Sequence, residues 1–113
     1  MTQLWWSLQA LRELEAIREY IAVDSPRYAD LVVERIIAAV ERLRAFPESG
    51  RVVPERSDPQ IREVIVRPYR VVYRHRQGEV EVGGATDQGD EQTKLVNFGA
   101  SQLIPGVGPW SWS

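Results

Sequence analysis

"SLQALRELEAIREYIAVDSPRYADLVVERIIAAVERLRAFP" (residues 7–47) reads as two helices folded back on each other. In its first half Ala10, Leu14, Ile17 and Ile21, with Leu11 beside them, recur at helical spacing. Ser7 stands where an N-cap accepts a bond from an early backbone N–H. Arg12, Glu13, Glu15, Arg18 and Glu19 fall mostly on the other face, a solvated one. In the second half Ser25 caps, and Pro26 takes the first helical position, where its missing N–H costs nothing. Ala29, Val32, Val33, Ile36, Ala39, Val40 and Leu43 then trace a wide apolar face, and Pro47 ends the helix near Phe46. The short link before Pro26 predicts an antiparallel helical hairpin.

The flanks complete a layer. "TQLWW" (2–6) is aromatic and apolar, suited to a strand. "ESGR" (48–51) is a turn, and 51–60 is an irregular basic segment punctuated by Pro54 and Pro59. "IREVIV" (61–66) and "YRVVYRHR" (69–76) follow, separated by Arg67-Pro68. Tyr69, Val71, Tyr73 and His75 share one face of the second strand, and Arg70, Val72, Arg74 and Arg76 the other. Gln77-Gly78 is a hairpin turn before "EVEV" (79–82). The expected fold is α+β, in the order β-αα-βββ(β): an N-terminal strand and an antiparallel helical hairpin packed on a small antiparallel sheet.

Gly83-Gly84 reads as a break, and "GGATDQGDEQ" (83–92) as an inserted or flexible loop. A closing strand is expected at 94–99, re-entering the sheet or pairing with another chain. One domain is expected over residues 1–104, with 105–113 a disordered tail. An unpartnered edge over 61–82 would favour a homodimer or strand addition by a partner.

At 113 residues and 43% hydrophobic, the chain can bury one modest core. It has no cysteine, hence no disulfide or zinc–thiolate site, and no run of eighteen apolar residues. Nothing resembles a secretion leader, so the expected location is the cytoplasm, with no membrane association. Asp87, Asp90 and Glu91 lack the ligand count and fixed glycine of a calcium loop, and there is no Gly-rich phosphate loop. No cofactor or metal is expected. The net charge of −2 hides a gradient: residues 1–46 sum to −1, 47–76 to +3 and 77–113 to −4. Seven arginines lie between Arg51 and Arg76, a local positive field in an acidic chain.

Trp6-Ser7, the Leu14–Ile17–Tyr20-Ile21 helix, Ser25-Pro26, "FPESGR" (46–51), "REVIV" and "YRVVYR" stand in an order and spacing that closely resembles the RelE/ParE toxin superfamily of bacterial type II toxin–antitoxin modules, over residues 4–82. The resemblance implies the same β-αα-βββ architecture and a cognate antitoxin partner. The family's closing strand usually ends in a His-Gly-Ala/Ser-Arg-like motif. The downstream "VNFGASQL" (96–103) has Phe98 in place of that His, and Ser101-Gln102 where a basic residue is common.

Two activities are implied. ParE-like members poison DNA gyrase; RelE-like members cut mRNA on the ribosome with basic residues and a C-terminal Tyr or His. RNA cleavage needs a base for the 2′-hydroxyl, cations for the pentacoordinate charge and a proton donor for the leaving oxygen. Arg62, Arg70, Tyr73, Arg74 and His75 are the candidates for that chemistry. Arg51, Arg56, Arg62, Arg67, Arg70, Arg74 and Arg76 are the candidates for target or antitoxin binding. Set against these, alternating arginines also make an ordinary solvated or paired sheet face, Tyr69 and Tyr73 suit a core, and Tyr20 and Tyr28 suit helix packing. The modest charge and the absence of lysine in this stretch favour a ParE-like binder that is not an enzyme. The alternatives are a ribosome-dependent mRNA endoribonuclease, and a degenerate non-toxic member motivated by the interrupted strand.

Overall fold

The computed structural model of the protein describes residues 2–89, 98 and 103–105. β1 (Gln3–Ser7) runs without a loop into α1 (Leu8–Ala22); α2 (Pro26–Glu41) follows and tightens into a 3-10 turn at Arg42–Arg44. Then come β2 (Arg51–Val52), β3 (Ile61–Val66), β4 (Tyr69–Arg76), β5 (Glu79–Asp87) and β6 (Leu103–Pro105). They form one six-stranded sheet in the order β2-β3-β4-β5-β1-β6, and the architecture is the expected α+β one.

Both helix starts use the serines that the sequence marks. Ser7 Oγ accepts from the Ala10 N–H at 3.0 Å, and Ser25 Oγ from the Tyr28 N–H at 3.1 Å. The hairpin lays Leu14, Ile17, Val33, Ile36 and Val40 against one face of the sheet, where they meet Leu4, Trp6, Val71, Tyr73, Val80 and Val82. Complete burial of such aliphatic side chains is worth about 1.5–3 kcal/mol each, so this layer holds the fold. Gln77 (φ 51°) and Gly78 (φ 76°) both sit in left-handed space, the geometry that suits a two-residue hairpin turn.

Two expectations need correction. The sheet is mixed rather than wholly antiparallel: β1 lies parallel to β5, with Leu4 opposite Val80 and Trp6 opposite Val82. The helical hairpin carries the chain from β1 to the far edge of the sheet at β2, and β3 and β4 lead back, so that β5 arrives beside β1 and parallel to it. Residues 83–87, read as the start of a loop, instead continue β5. Val72 pairs with Gly84 and Tyr73 with Val82, so Gly83 is the extra residue of a bulge and the strand does not stop there. Ser7 Oγ donates to the Gly83 carbonyl at 3.2 Å. One hydroxyl therefore caps α1 and satisfies the bulge, tying β1, α1 and β5 together. β6 pairs antiparallel with β1, Trp6 opposite Ile104. Of the closing strand expected at 94–99 only Phe98 lies within the described residues; the rest of the expected loop beyond Gly89, and the tail beyond Pro105, lie outside them.

Candidate functional site

Strand alternation sends the arginines to both faces of the sheet. On the face away from the helices, β3 presents Ile61 and Glu63, β4 presents Arg70, Val72 and Arg74, and β5 presents Glu81 and Thr86. The Glu63 carboxylate has no exposure and lies 2.6 Å from both the Arg51 and the Arg70 guanidinium. Arg70 also reaches Glu55 at 3.1 Å, and Arg74 reaches Glu81 at 3.0 Å. Three guanidiniums thus meet three carboxylates. The positive surplus of residues 47–76 is partly offset in space by Glu81, which comes from the acidic third of the chain.

Beside this network Val53, Ile61 and Val72 form a small apolar cluster, with Phe98 packed on it. The Arg56 and Arg74 guanidiniums lie 5.9 and 5.4 Å from the centre of the Phe98 ring, within cation–π range.

On the helix-side face Arg62 and Tyr73 stand opposite each other and hold the "FPESGR" turn. Tyr73 Oη accepts from the Gly50 N–H at 3.0 Å and donates to the Pro47 carbonyl at 2.7 Å. Arg62 donates to the carbonyls of Gly50 at 2.9 Å and Glu48 at 3.2 Å. A Cβ at Gly50 would stand 2.5 Å from Tyr73 Oη and 2.7 Å from the Glu63 carbonyl, so only glycine fits. Burial raises the Tyr73 pKa above the ordinary phenol value, which favours the neutral form.

The five residues considered for RNA cleavage are therefore split. Arg70 and Arg74 lie on the outer face, paired with carboxylates; Arg62, Tyr73 and His75 lie on the other. His75 is half-buried near the β4–β5 turn, and its backbone N–H donates to Gln60 at 2.9 Å. Among the binding candidates, Arg67 and Arg76 are exposed and make no ion pair among the described residues, whereas Arg51 is exposed but held by Glu63. No group of three His, Asp or Glu able to hold a metal occurs among the described residues.

A groove of about 380 Å³ opens elsewhere, between α1 and the last residues of β5. Glu13, Ala16, Ile17, Tyr20, Tyr69, Ala85, Thr86 and Asp87 line it. It exists because β1 turns into α1 at Ser7, leaving the end of β5 with a helix as neighbour on that side. Glu13 Oε1 accepts from the Ala85 N–H at 3.0 Å, replacing the missing strand partner. Here the expected role of Tyr20 and Tyr28 as packing residues is corrected: Tyr20 is 78% exposed and Tyr28 51%. Tyr20 lies beside Ile17 and Ile21 on the edge of the apolar stripe, a position that helical spacing alone does not assign to core or surface. Burial, and then the nearby Asp87 charge, raise the Tyr69 pKa.

A strand, a capped helical hairpin and a bulged meander make the α+β arrangement that the sequence resemblance implies. Comparison with known proteins agrees. Residues 4–84 match the family described as ParE toxin of type II toxin–antitoxin system, parDE. Toxin RelE2 of Caulobacter vibrioides is 36% identical over 83 residues, covering 73% of this chain and 90% of that protein. A structure of the chromosomal ParDE toxin–antitoxin system from P. aeruginosa superposes with a TM-score of 0.65 at 23% identity, covering 77% of this chain and 96% of that one, a likeness of fold. The chain belongs to the ParE toxin family of type II toxin–antitoxin systems, within the wider RelE/ParE superfamily. Membership implies an antitoxin partner. No described helix is long and apolar enough to cross a membrane.

Proposed function

We propose that the protein is a cytoplasmic toxin that acts by binding DNA gyrase, without chemistry of its own, and that a cognate antitoxin neutralises it. The observation that supports this most is the fate of the cleavage candidates. Tyr73 has both sides of its hydroxyl occupied by the 47–50 turn, and Arg70 and Arg74 face carboxylates across the sheet from it. A phosphoryl-transfer site needs several free cations and its acid/base on one surface. Arg62, the one candidate cation on the face of Tyr73 and His75, instead gives its N–H groups to the carbonyls of Gly50 and Glu48.

A second reading, a ribosome-dependent mRNA endoribonuclease, draws on the likeness to the relative named Toxin RelE2. The third, a degenerate member, keeps part of its motive: Gly83-Gly84 lie within β5, but Phe98 still stands where the family usually has His. The edge of β3 beyond Glu63 has no strand partner among the described residues, and a homodimer or an added partner strand would pair there.

Inducible expression in a bacterial host, with growth, DNA breakage and mRNA ends followed together, separates the readings. Arrest with gyrase-dependent DNA breaks is expected. Arrest with mRNA cut in the ribosomal A site would replace the proposal with the second reading, and growth without arrest from soluble protein would replace it with the third.

A further inference from the structure

The groove between α1 and the end of β5 has a chemistry of its own. Its apolar floor is Ala16, Ile17 and Ala85, its walls are the rings of Tyr20 and Tyr69, and its polar margin carries Glu13, Asp87 and Thr86. No Arg, Lys or His is among these lining residues. Two carboxylates and two tyrosine rings around an apolar floor repel an acidic segment and favour a flat cation, which can stack on a ring while its N–H groups reach the oxygens. Glu13 is engaged by the Ala85 N–H and is held in place. Asp87 accepts from the Gly89 N–H at 2.9 Å and has no ion pair among the described residues.

The surroundings suit a polypeptide better than a small solute. Tyr20 and Tyr28 expose large apolar surface at the helical hairpin, Val23 is 85% exposed, and Leu31 follows Tyr28 by one helical turn. Exposed aromatic and aliphatic side chains on the helical hairpin that also supplies one wall of the groove mark an interaction surface. The groove volume, about 380 Å³, is enough for an arginine side chain with an apolar neighbour, but small for a folded element.

We propose that this groove docks a partner polypeptide segment that presents an arginine side chain flanked by apolar residues, the guanidinium lying between Tyr20 and Asp87. The inference rests on the reading that a protein antitoxin covers this chain, and it assigns the chemistry of the covering segment. An acidic segment, which the arginine-rich meander suggests at first sight, does not fit here. The meander's own carboxylates already occupy three of its arginines.

The test uses the full chain labelled with 15N and two capped probe peptides, acetyl-Leu-Ala-Arg-Ala-Leu-amide and its Glu counterpart. The arginine peptide is expected to shift the amides of Ala16, Ile17, Tyr20 and Ala85 saturably, and to bind at least about fivefold more tightly than the Glu peptide. Asp87→Asn and Tyr20→Ala, both at exposed positions and checked for folding by circular dichroism, should each abolish that preference. Equal binding of the two peptides, or shifts confined to other surfaces, would overturn the proposal.

The antitoxin supplies a separate arm. If it binds the wild-type chain and the Asp87→Asn and Tyr20→Ala variants equally, the groove assignment fails while the antitoxin reading stands. Failure of the antitoxin reading itself would appear differently, as growth arrest that no co-expressed antitoxin relieves.

Discussion

Replacing Tyr73 with Phe removes one oxygen and leaves the ring in the core. That oxygen accepts the Gly50 N–H at 3.0 Å and donates to the Pro47 carbonyl at 2.7 Å. Gly50 is buried, so its N–H would lose its partner without gaining water, a cost of about 1–3 kcal/mol. The Pro47 carbonyl is only half-buried and can turn to solvent, adding less. Arg62 keeps its two bonds to the turn, so the loop loosens without detaching. The expected net loss is about 2–3 kcal/mol. For a domain of this size that lowers Tm by about 8–12 °C. Thermal melts followed by circular dichroism read the shift, and growth arrest scaled to folded protein reads the activity. The melt is expected to fall and the activity per folded molecule to hold. A variant with an unchanged melt and abolished activity would refute this, because the hydroxyl would then act on the target.

Glu63→Gln leaves Arg70, which is buried, with only Glu55 for a counter-charge; a loss of about 3 kcal/mol in urea unfolding is expected, against little change for a Gln at the exposed Glu48. Gly50→Ala pushes a methyl into Tyr73 and the Glu63 carbonyl, and should cost at least about 2 kcal/mol by the same assay. Ser7→Ala removes a cap and the Gly83 bond together, so it should cost about 2 kcal/mol, whereas Ser25→Ala, a cap alone, should cost about 1 kcal/mol. Burial raises the folded-state pKa of Tyr73 and Tyr69, and the unfolded phenols ionise near the ordinary value of about 10. Their contribution is thus complete below about pH 10 and is lost as pH rises through the folded values; Tm measured from pH 8 to 11.5 should fall more steeply for wild type than for Tyr73→Phe.

The helical hairpin was legible because each of its signals is local. Ser7 and Ser25 cap within three residues, and the apolar period of α2 repeats over four turns. The rest of β5 was not legible, because Gly83-Gly84 is ordinary punctuation for a strand end. What makes it a bulge is a bond to Ser7, 76 residues away in sequence. The parallel seat of β1 is likewise a long-range outcome of the sheet order. At the arginine-rich meander the alternation along β4 was readable, and it sets which arginines share a face. The carboxylate partners were not, since Glu55, Glu63 and Glu81 reach those arginines only through the register of three neighbouring segments. Tyr20 and Asp87 come together only when α1 packs beside the end of β5.

On the proposed function, the chain acts by occupying its target and not by cutting RNA. The most direct measurement adds the purified chain to two reconstituted reactions, DNA supercoiling by gyrase and translation of a defined mRNA. Supercoiling is expected to stop at roughly stoichiometric chain, with cleaved DNA trapped, while the mRNA stays intact. Site-specific mRNA ends generated by far less chain than ribosome, with gyrase unaffected, would contradict it.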